Sequence, residues 1–190
     1  MRATRLLAGA VVPLGLLGGV AARELSLVGI HQGYSPEQPI AFSHQLHAGQ
    51  SKVPCLYCHF GALQSRHAGI PPANVCLNCH GLLAKETRDL RRLKEAVELQ
   101  RPIGWIKVHN LPDFVYFNHS QHVVAGGVAC QECHGPVETM VRVRQTAPLT
   151  MGWCLDCHRR RHVGEPQVRV AAASLAHPLG SGLDCGKCHY

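Results

Sequence analysis

The sequence has no cysteine outside one five-residue pattern. All ten cysteines fall in Cys-x-x-Cys-His motifs, which occupy residues 55–59, 76–80, 130–134, 154–158 and 185–189. A disulfide framework does not hold both cysteines of a pair to the same two-residue gap five times over, so this usage excludes such a framework. Zinc sites built from Cys-x-x-Cys pairs do not need a histidine after every pair, so zinc also explains the pattern poorly.

Each motif is the attachment signature of a c-type haem. Two thiols three residues apart lie on one side of a helical turn, where they add to the two vinyl groups of one porphyrin. The histidine that follows supplies the proximal nitrogen to iron. The sequence therefore predicts five covalent haem c groups, attached to Cys55, Cys58, Cys76, Cys79, Cys130, Cys133, Cys154, Cys157, Cys185 and Cys188, with proximal ligands His59, His80, His134, His158 and His189.

The sequence also has little polypeptide for so many cofactors. Without its N-terminal segment it has roughly 165 residues, or about 33 per haem, which are too few for a conventional core around each one. The porphyrins are therefore expected to form much of the interior. With 19 glycines and 12 prolines, the predicted fold is a multihaem cytochrome c of mainly short α-helices and loops wrapped around five haems, with little β-structure and one N-terminal transmembrane helix.

Acidic residues are few, since 12 Asp and Glu stand against 19 Lys and Arg, for a formal net charge of +7. Such a balance can indicate a nucleic-acid or anionic-lipid partner. Five reduced haems, however, bring propionates worth about −10 in charge. The basic residues are better explained as partners of propionates, and no nucleic-acid binding is expected.

The N-terminus predicts the compartment. Arg2 and Arg5 precede the uncharged run of residues 6–22, and Arg23 follows it. Positive charge ahead of an apolar run sends the rest of the chain out of the cytoplasm. As a helix the run would be about 26 Å long, slightly short of a hydrocarbon core, and residues 19–21 resemble a cleavage site. We expect an uncleaved anchor in the cytoplasmic membrane, with the haem domain on the periplasmic face.

The body of the chain is a duplication with an offset of 75 residues. The pattern Phe-x-His-x-x-His starts at Phe42 and again at Phe117, and seven residues separate its last histidine from the next motif in both copies. A second motif follows in each unit, after sixteen and nineteen intervening residues. The predicted organisation is an anchor (1–30), a two-haem module with a linker helix (31–101), a second two-haem module (102–162) and a single-haem segment (163–190).

Two further stretches carry charge. Residues 81–101 place Leu83, Leu90, Leu93 and Val97 near one helical stripe with charged residues opposite, which predicts a surface helix that ends before Pro102. The basic run at residues 159–162 follows the fourth motif. It is interpreted as a contact to propionates or to a partner, with plain solvent exposure as the alternative.

Histidines outside the motifs are the candidate distal ligands. A haem that only transfers electrons is best served by two strong axial ligands, because six-coordinate iron changes its geometry little and leaves no open site for a substrate. Histidines at i and i+3 share a helix face, so one Phe-x-His-x-x-His pair can serve two closely stacked irons. The predicted distal ligands are His44, His47, His119 and His122.

The fifth distal ligand is left open between several residues. His109 is the first choice, and His177 follows because it also lies seven residues before a motif. Met151, three residues before Cys154, and His67 are the other candidates. A methionine ligand would raise the potential of its haem.

At this point the sequence resembles a known family. The words FSHQLH, CLYCH and AGIPPANVCLNCH, then WIKVHNLPDFVYFNHSQH, CQECHGPVE and PLTMGWCLDCHR, are similar to the membrane-anchored pentahaem cytochrome c subunit of bacterial alternative complex III. The resemblance runs from about residue 35 to residue 158, and the tail from 159 onward matches less distinctively. The paired histidines also resemble those of small tetrahaem cytochromes, in which the two serve different haems.

The resemblance implies an electron-transfer subunit of a quinol:electron-acceptor oxidoreductase in a respiratory or photosynthetic chain, with no catalysis on this chain alone. It implies as partners a large iron–sulfur subunit related to molybdopterin enzymes, polytopic quinol-binding subunits and a monohaem cytochrome c subunit or soluble carrier. The alternative is a stand-alone membrane-anchored quinol dehydrogenase that feeds a periplasmic reductase. A pentahaem nitrite reductase fits poorly, because its active haem carries lysine and every motif here ends in histidine.

Overall fold

The structure is a computed structural model, and it describes residues 29–83, 86–162 and 185–189. Secondary structure in this part is short and helical, as predicted, and the described residues contain no strand. One isolated antiparallel bridge joins Val115 and His189. Among the described residues no helix has the length and apolar character needed to cross a membrane. The predicted anchor, residues 6–22, lies outside them.

Every attachment motif lies on a helical turn. The first four motifs fall on α1 (Cys55–Cys58), α2 (Ala73–His80), α4 (Cys130–His134) and α5 (Met151–His162), and a 3₁₀ turn, Cys185–Lys187, carries the fifth. Pro54 and Pro72 precede α1 and α2 in extended backbone. The ring of proline fixes φ near the value that a helix start needs, so α1 and α2 each begin at a defined residue.

The two Phe-x-His-x-x-His patterns open onto π-helices. These are π1 (Gln45–Gln50) and π2 (Gln121–Ala125), and the first histidine of each pattern lies just before its helix. π-helices are rare in proteins, and those that occur are often found at functional sites. Its recurrence at both copies of the repeat shows that the duplication extends to an unusual backbone geometry.

The linker helix α3 (Arg88–Glu98) is shorter than the predicted stretch of residues 81–101. Thr87 begins it, since its side-chain oxygen accepts a hydrogen bond from the Leu90 amide at 3.2 Å, the usual role of an N-cap threonine. Leu93 is buried and faces the protein as predicted, but Leu83 precedes the helix and is exposed. The inclusion of Leu83 in the stripe was wrong, because the cap starts the helix at residue 88.

The two modules interlock through reciprocal hydrogen bonds. The Gln45 amide at the start of π1 donates to the Met140 carbonyl at 2.9 Å, and the Ser120 amide before π2 donates to the Ser65 carbonyl at 3.1 Å. Adding 75 to 45 gives 120, and adding 75 to 65 gives 140. Residue i of one repeat thus contacts residue j of the other, and their equivalents make the same contact, which is the signature of two-fold symmetry.

Few side chains form a conventional core. The buried apolar residues of the described chain are Ala62, Leu93, Met140 and Ala147, and Gln145 is the one fully buried polar residue there. Several large apolar side chains near the motifs are not covered by other parts of the protein. They include Leu46, Tyr57, Phe60 and Leu63. Such surfaces are apolar walls of the kind that a porphyrin covers.

Candidate haem-binding site

In the first module the structure pairs each distal candidate with one motif histidine. The ring centroids of His44 and His59 are 6.4 Å apart, and their planes lie within 5° of parallel. His47 faces His80 at 5.9 Å with an angle of 57° between the rings. The two histidines of one pattern therefore serve different motifs.

The second module repeats the pairing. His119 faces His134 at 6.3 Å with the rings 7° from parallel, and His122 faces His158 at 6.0 Å and 68°. In both modules the first histidine of the pattern meets the nearer motif in a nearly parallel arrangement. The second histidine meets the farther motif with its ring strongly rotated.

These separations test whether the residues fit a haem. Two imidazoles on opposite sides of one iron, each with a metal–nitrogen bond of about 2.0 Å, place their ring centroids about 6.3 Å apart. The four observed separations, 5.9 to 6.4 Å, agree with this value. Aromatic rings in direct contact also have centroids about 4.5–7 Å apart, so it is the recurrence of the same separations and ring angles at the 75-residue offset that favours ligation. Each pair therefore fits the axial ligand set of one haem iron.

In four of these eight rings, the second nitrogen is already held by a backbone carbonyl. His47 Nδ1 lies 2.8 Å from the Ser43 carbonyl oxygen, and His122 Nδ1 lies 2.8 Å from that of Asn118, its equivalent in the repeat. In each case an Nδ1–H donates to the carbonyl, which leaves Nε2 as the free nitrogen. Such hydrogen bonds fix the tautomer and the ring orientation of a metal-binding histidine.

One segment after the first motif holds ligands of both modules. His59 Nδ1 donates to the Gly69 carbonyl at 2.6 Å, and His119 Nδ1 donates to the Arg66 carbonyl at 2.8 Å. A proximal candidate of the first module and a distal candidate of the second are thus oriented by the same stretch of chain. The Nδ1 atoms of His44 and His80, by contrast, are buried without a protein partner.

The phenylalanine of each pattern supports both of its histidines. Phe42 stacks on His47 at 4.3 Å and meets His44 edge-on at 4.9 Å. Phe117 contacts His122 and His119 in the same two ways, at 4.4 and 4.8 Å. These phenylalanines were not among the residues predicted to form the site. Their recurrence at the 75-residue offset was the signal that would have found it.

Burial keeps two of the candidate ligands neutral. Burial first, and then the neighbouring His59 and His47, lowers the pKa of His44 to about 4. Burial followed by several surrounding histidines lowers the pKa of His134 to about 4. Only neutral imidazole binds a metal. These environments therefore favour the ligating form over a wide pH range.

Attachment thiols of the first three motifs are neighbours in space. Burial and then Cys58 raise the pKa of Cys76, which links the first motif to the second. Burial and then Cys55 raise the pKa of Cys130, which links the first motif to the third. Cys55 and Cys130 are equivalent residues of the repeat, so this contact lies at the pseudo-two-fold axis.

The later motifs continue the series. Burial, then Cys157 and Glu132, raises the pKa of Cys133 to about 11, which places the third and fourth motifs side by side. Burial and then Cys188 raise the pKa of Cys154, which links the fourth motif to the fifth. Each motif therefore has a thiol close to a thiol of another motif.

His109 lies too close to the nearest motif histidine for an iron atom to fit between the two rings. Its Nε2 is 3.1 Å from Nδ1 of His134, and the two rings are perpendicular with centroids 4.4 Å apart. Burial and then His119 lower the pKa of His109. This position argues against the predicted role of His109 as the fifth distal ligand, because its Nε2 is engaged with another imidazole.

The fifth distal ligand would face His189, the histidine of the fifth motif. His189 is joined to Val115 by the isolated bridge, and its ring lies 5.8 Å from that of Phe114. Met151 begins α5 and is 65% exposed, while His67 is exposed on the protein surface. His177 lies outside the described residues.

The basic run after the fourth motif has protein partners. Arg161 forms an ion pair with Glu132 at 2.6 Å and donates to the Gly126 carbonyl at 3.3 Å. Arg160 pairs with Asp156 on the same helix. Arg161 therefore joins α5 to the third motif in addition to any contact with propionates.

Two comparisons relate the chain to known proteins. Residues 115–190 match the family described as cytochrome c7 and related cytochrome c. The chain is also 32% identical, over 99 residues, to the menaquinone reductase multiheme cytochrome c subunit of Nitratidesulfovibrio vulgaris. That alignment covers 52% of this chain and 46% of the relative, so the chain spans about half of the relative's length. The motifs, the imidazole geometry and both comparisons relate the chain to multihaem c-type cytochromes.

Proposed function

We propose that this chain is an electron-transfer subunit carrying five covalently bound haems c in a membrane-associated complex that exchanges electrons with quinone. The observation that carries this proposal is the set of four imidazole pairs, each at the separation of two axial ligands on one iron. With both axial positions filled by strong ligands, no position on these haems is left for a substrate. Electron transfer without bond-making on the chain itself is the function that this arrangement supports.

A bound haem supplies one-electron chemistry, since its iron alternates between the ferric and ferrous states. The cysteines of the motifs would hold each porphyrin covalently, and the paired imidazoles would hold its iron. The Nδ1 hydrogen bonds to backbone carbonyls orient those imidazoles and adjust their basicity. In this way the chain sets both the position and the potential of each haem.

The neighbouring thiols support a linear order of attachment sites. Electrostatic effects of one thiol on the pKa of another link the first motif to the second and to the third, the third to the fourth, and the fourth to the fifth. We infer the order 2–1–3–4–5. The step from 1 to 3 crosses the pseudo-two-fold axis, so it is the connection through which the two modules exchange electrons.

The setting of the relay rests on the resemblance and on the relative. The resemblance to the pentahaem subunit of alternative complex III supports quinol oxidation at the outer face of the cytoplasmic membrane, with residues 6–22 as anchor. Its partners would be an iron–sulfur subunit, polytopic quinol-binding subunits and a monohaem cytochrome c. The relative's name, menaquinone reductase, supports a second candidate, in which the same relay delivers electrons to quinone.

These two candidates, and a stand-alone quinol dehydrogenase, are separated by one purification. The full-length chain is tagged at its C-terminus, extracted from membranes in mild detergent, and everything that comes with it is identified. The purified material is then assayed for quinol-driven reduction of cytochrome c and for quinone reduction by a low-potential donor.

Recovery with iron–sulfur and polytopic subunits together with quinol oxidation supports the alternative complex III assignment. The same subunits with net quinone reduction support the second candidate. Recovery of the chain alone, with quinol oxidation, overturns both and requires a quinol site on this chain. An intact mass that corresponds to fewer than five haems would overturn the five-haem relay in every case.

A further inference from the structure

The proximal histidine of the third motif has an unusual partner. His134 faces His119 on one side, with the nearly parallel geometry of two axial ligands. Its other ring nitrogen, Nδ1, lies 3.1 Å from Nε2 of His109. Because iron would be bound through Nε2 of His134, its Nδ1 carries the proton. The hydrogen bond therefore runs from His134 to His109.

This direction decides what His109 can do. Its Nε2 lone pair accepts the hydrogen bond, so that nitrogen is not available to a metal. The two rings meet edge-on, at an interplanar angle of 82° and with their centroids 4.4 Å apart. His109 is therefore placed as the hydrogen-bond partner of His134, the predicted iron ligand, and lies outside the coordination sphere of the iron.

A buried side chain holds this arrangement in place. Gln145 is fully buried, and its Oε1 accepts a hydrogen bond from the Asn110 amide at 3.0 Å. Its Nε2 donates to the Ala147 carbonyl at 3.1 Å, and its backbone amide donates to the Tyr34 carbonyl at 3.0 Å. The residue after His109 is thus anchored to the interior, which restricts movement of His109 itself.

The pseudo-symmetry provides an internal reference. The equivalent of His134 in the first module is His59, whose Nδ1 donates to the Gly69 carbonyl at 2.6 Å. The residue 75 positions before His109 is Tyr34, which has no imidazole to offer. The duplicated proximal histidines therefore share the same distal geometry and differ in the acceptor of their Nδ1 proton, a carbonyl in one and an imidazole in the other.

We propose that His109 is a positioning residue for the third haem: it fixes the tautomer of His134, increases its electron donation to iron, and lowers the reduction potential of that haem. Partners of this kind orient a ligating histidine and raise its basicity. An imidazole nitrogen is a more basic acceptor than a peptide carbonyl, so the effect is larger than at His59. A more basic axial ligand stabilises the ferric state, which lowers the potential.

The inference rests on the proposed function in one respect, namely that the third motif binds a haem. It makes His109 a residue that adjusts the potential of the third haem. In the inferred order, that haem is the first one in the second module. A lowered potential there would disfavour storage of an electron on the third haem. It also removes His109 from the candidates for the fifth distal ligand.

The test uses the full-length holoprotein with three single variants. His109→Leu removes the acceptor, His109→Gln replaces imidazole by an amide oxygen, and His31→Ala alters an exposed histidine as a control. Haem content is measured by the pyridine haemochrome assay, spin state by EPR of the oxidised protein, and potentials by a redox titration followed optically and by EPR.

The expected result is a rise in one potential for His109→Leu and a smaller rise for His109→Gln, with all haems present and their spin state unchanged. His31→Ala should leave every potential at its original value. If His109→Leu does not fold, His109→Gln alone decides, because an amide acceptor still gives a measurable rise.

Two results would overturn the inference. A high-spin haem in either His109 variant would identify His109 as an iron ligand. Unchanged potentials in both variants would reduce its role to packing. Failure of the proposed function is seen separately, as a missing third haem in the unmodified protein.

Discussion

Replacement of His122 by alanine tests the distal assignment most directly. The ring of His122 lies 6.0 Å from that of His158, within about 0.3 Å of the separation expected for two ligands on one iron. An alanine side chain ends at Cβ and cannot reach the metal. The haem of the fourth motif should therefore become five-coordinate and high-spin, while the other haems keep both ligands.

The magnitude follows from the number of haems. In a chain with five haems, His122→Ala should convert one fifth of the total iron to the high-spin state. The open position should bind one equivalent of carbon monoxide after reduction. His47→Ala, the equivalent change in the first module, should also convert one haem, because His47 faces His80 at 5.9 Å. The double variant should convert two.

The assay combines EPR spin quantitation of the oxidised protein with carbon monoxide titration of the reduced protein. Haem content is determined in parallel, so that loss of cofactor is not mistaken for loss of a ligand. His31→Ala serves as the control, since His31 is exposed and contacts Tyr34. An unchanged low-spin spectrum in His122→Ala, at full haem content, would refute the pairing of His122 with His158.

Two further predictions concern stability. Gly49→Ala places a Cβ against the backbone carbonyl of Glu138, so π1 must shift; we expect a cost of about 1–3 kcal/mol, and a fall of roughly 2–4 °C in the unfolding midpoint for each kcal/mol. Gly104→Ala, which meets nothing within 4 Å, should leave the midpoint unchanged, and equal midpoints for the two variants would contradict the contact. Acid should destabilise the fold, because the pKa values of His44 and His134 are lowered from 6.5 to about 4. The unfolded chain takes up protons first, so this stability is present in full above pH 6.5 and is lost as the pH falls from 6.5 to about 4. Ligation to iron acts in the same direction, and urea midpoints that do not fall across this window would contradict the expectation.

The segment that connects the two modules would affect any electron transfer between them. The segment after the first motif orients both His59 and His119. These are ligand candidates on the two sides of the pseudo-two-fold axis. A distortion of this segment would therefore displace ligand candidates of both modules at once.

Much of the candidate site can be predicted from residues that lie close together in the sequence. A CxxCH motif brings two thiols and an imidazole together within one helical turn, so the attachment chemistry needs no tertiary contact. The same holds for the Phe-x-His-x-x-His pattern, whose spacing places both histidines on one side of a short helix. The offset of 75 residues is also visible in the sequence alone. The content of short helices, with no strand in the described residues, followed from the glycine and proline count and the small amount of chain per motif.

The N-cap of the linker helix shows how local prediction failed. The apolar stripe extended back to Leu83, but the threonine at residue 87 starts the helix by binding the Leu90 amide. A capping side chain outweighed the periodicity, because it satisfies an amide that the helix otherwise leaves without a partner.

The sequence by itself determined the five motifs, the two histidine pairs and the repeat, because each motif and each pair lies within a few residues along the chain and recurs at a fixed offset. It predicted the attachment and ligand roles from these patterns. Only the tertiary structure decided which distal histidine faces which motif. It also decided that Cys55 lies near Cys130 and that Nε2 of His109 lies beside Nδ1 of His134. These relations join residues 15 to 75 positions apart. They depend on how the chain folds back on itself, which no local spacing encodes.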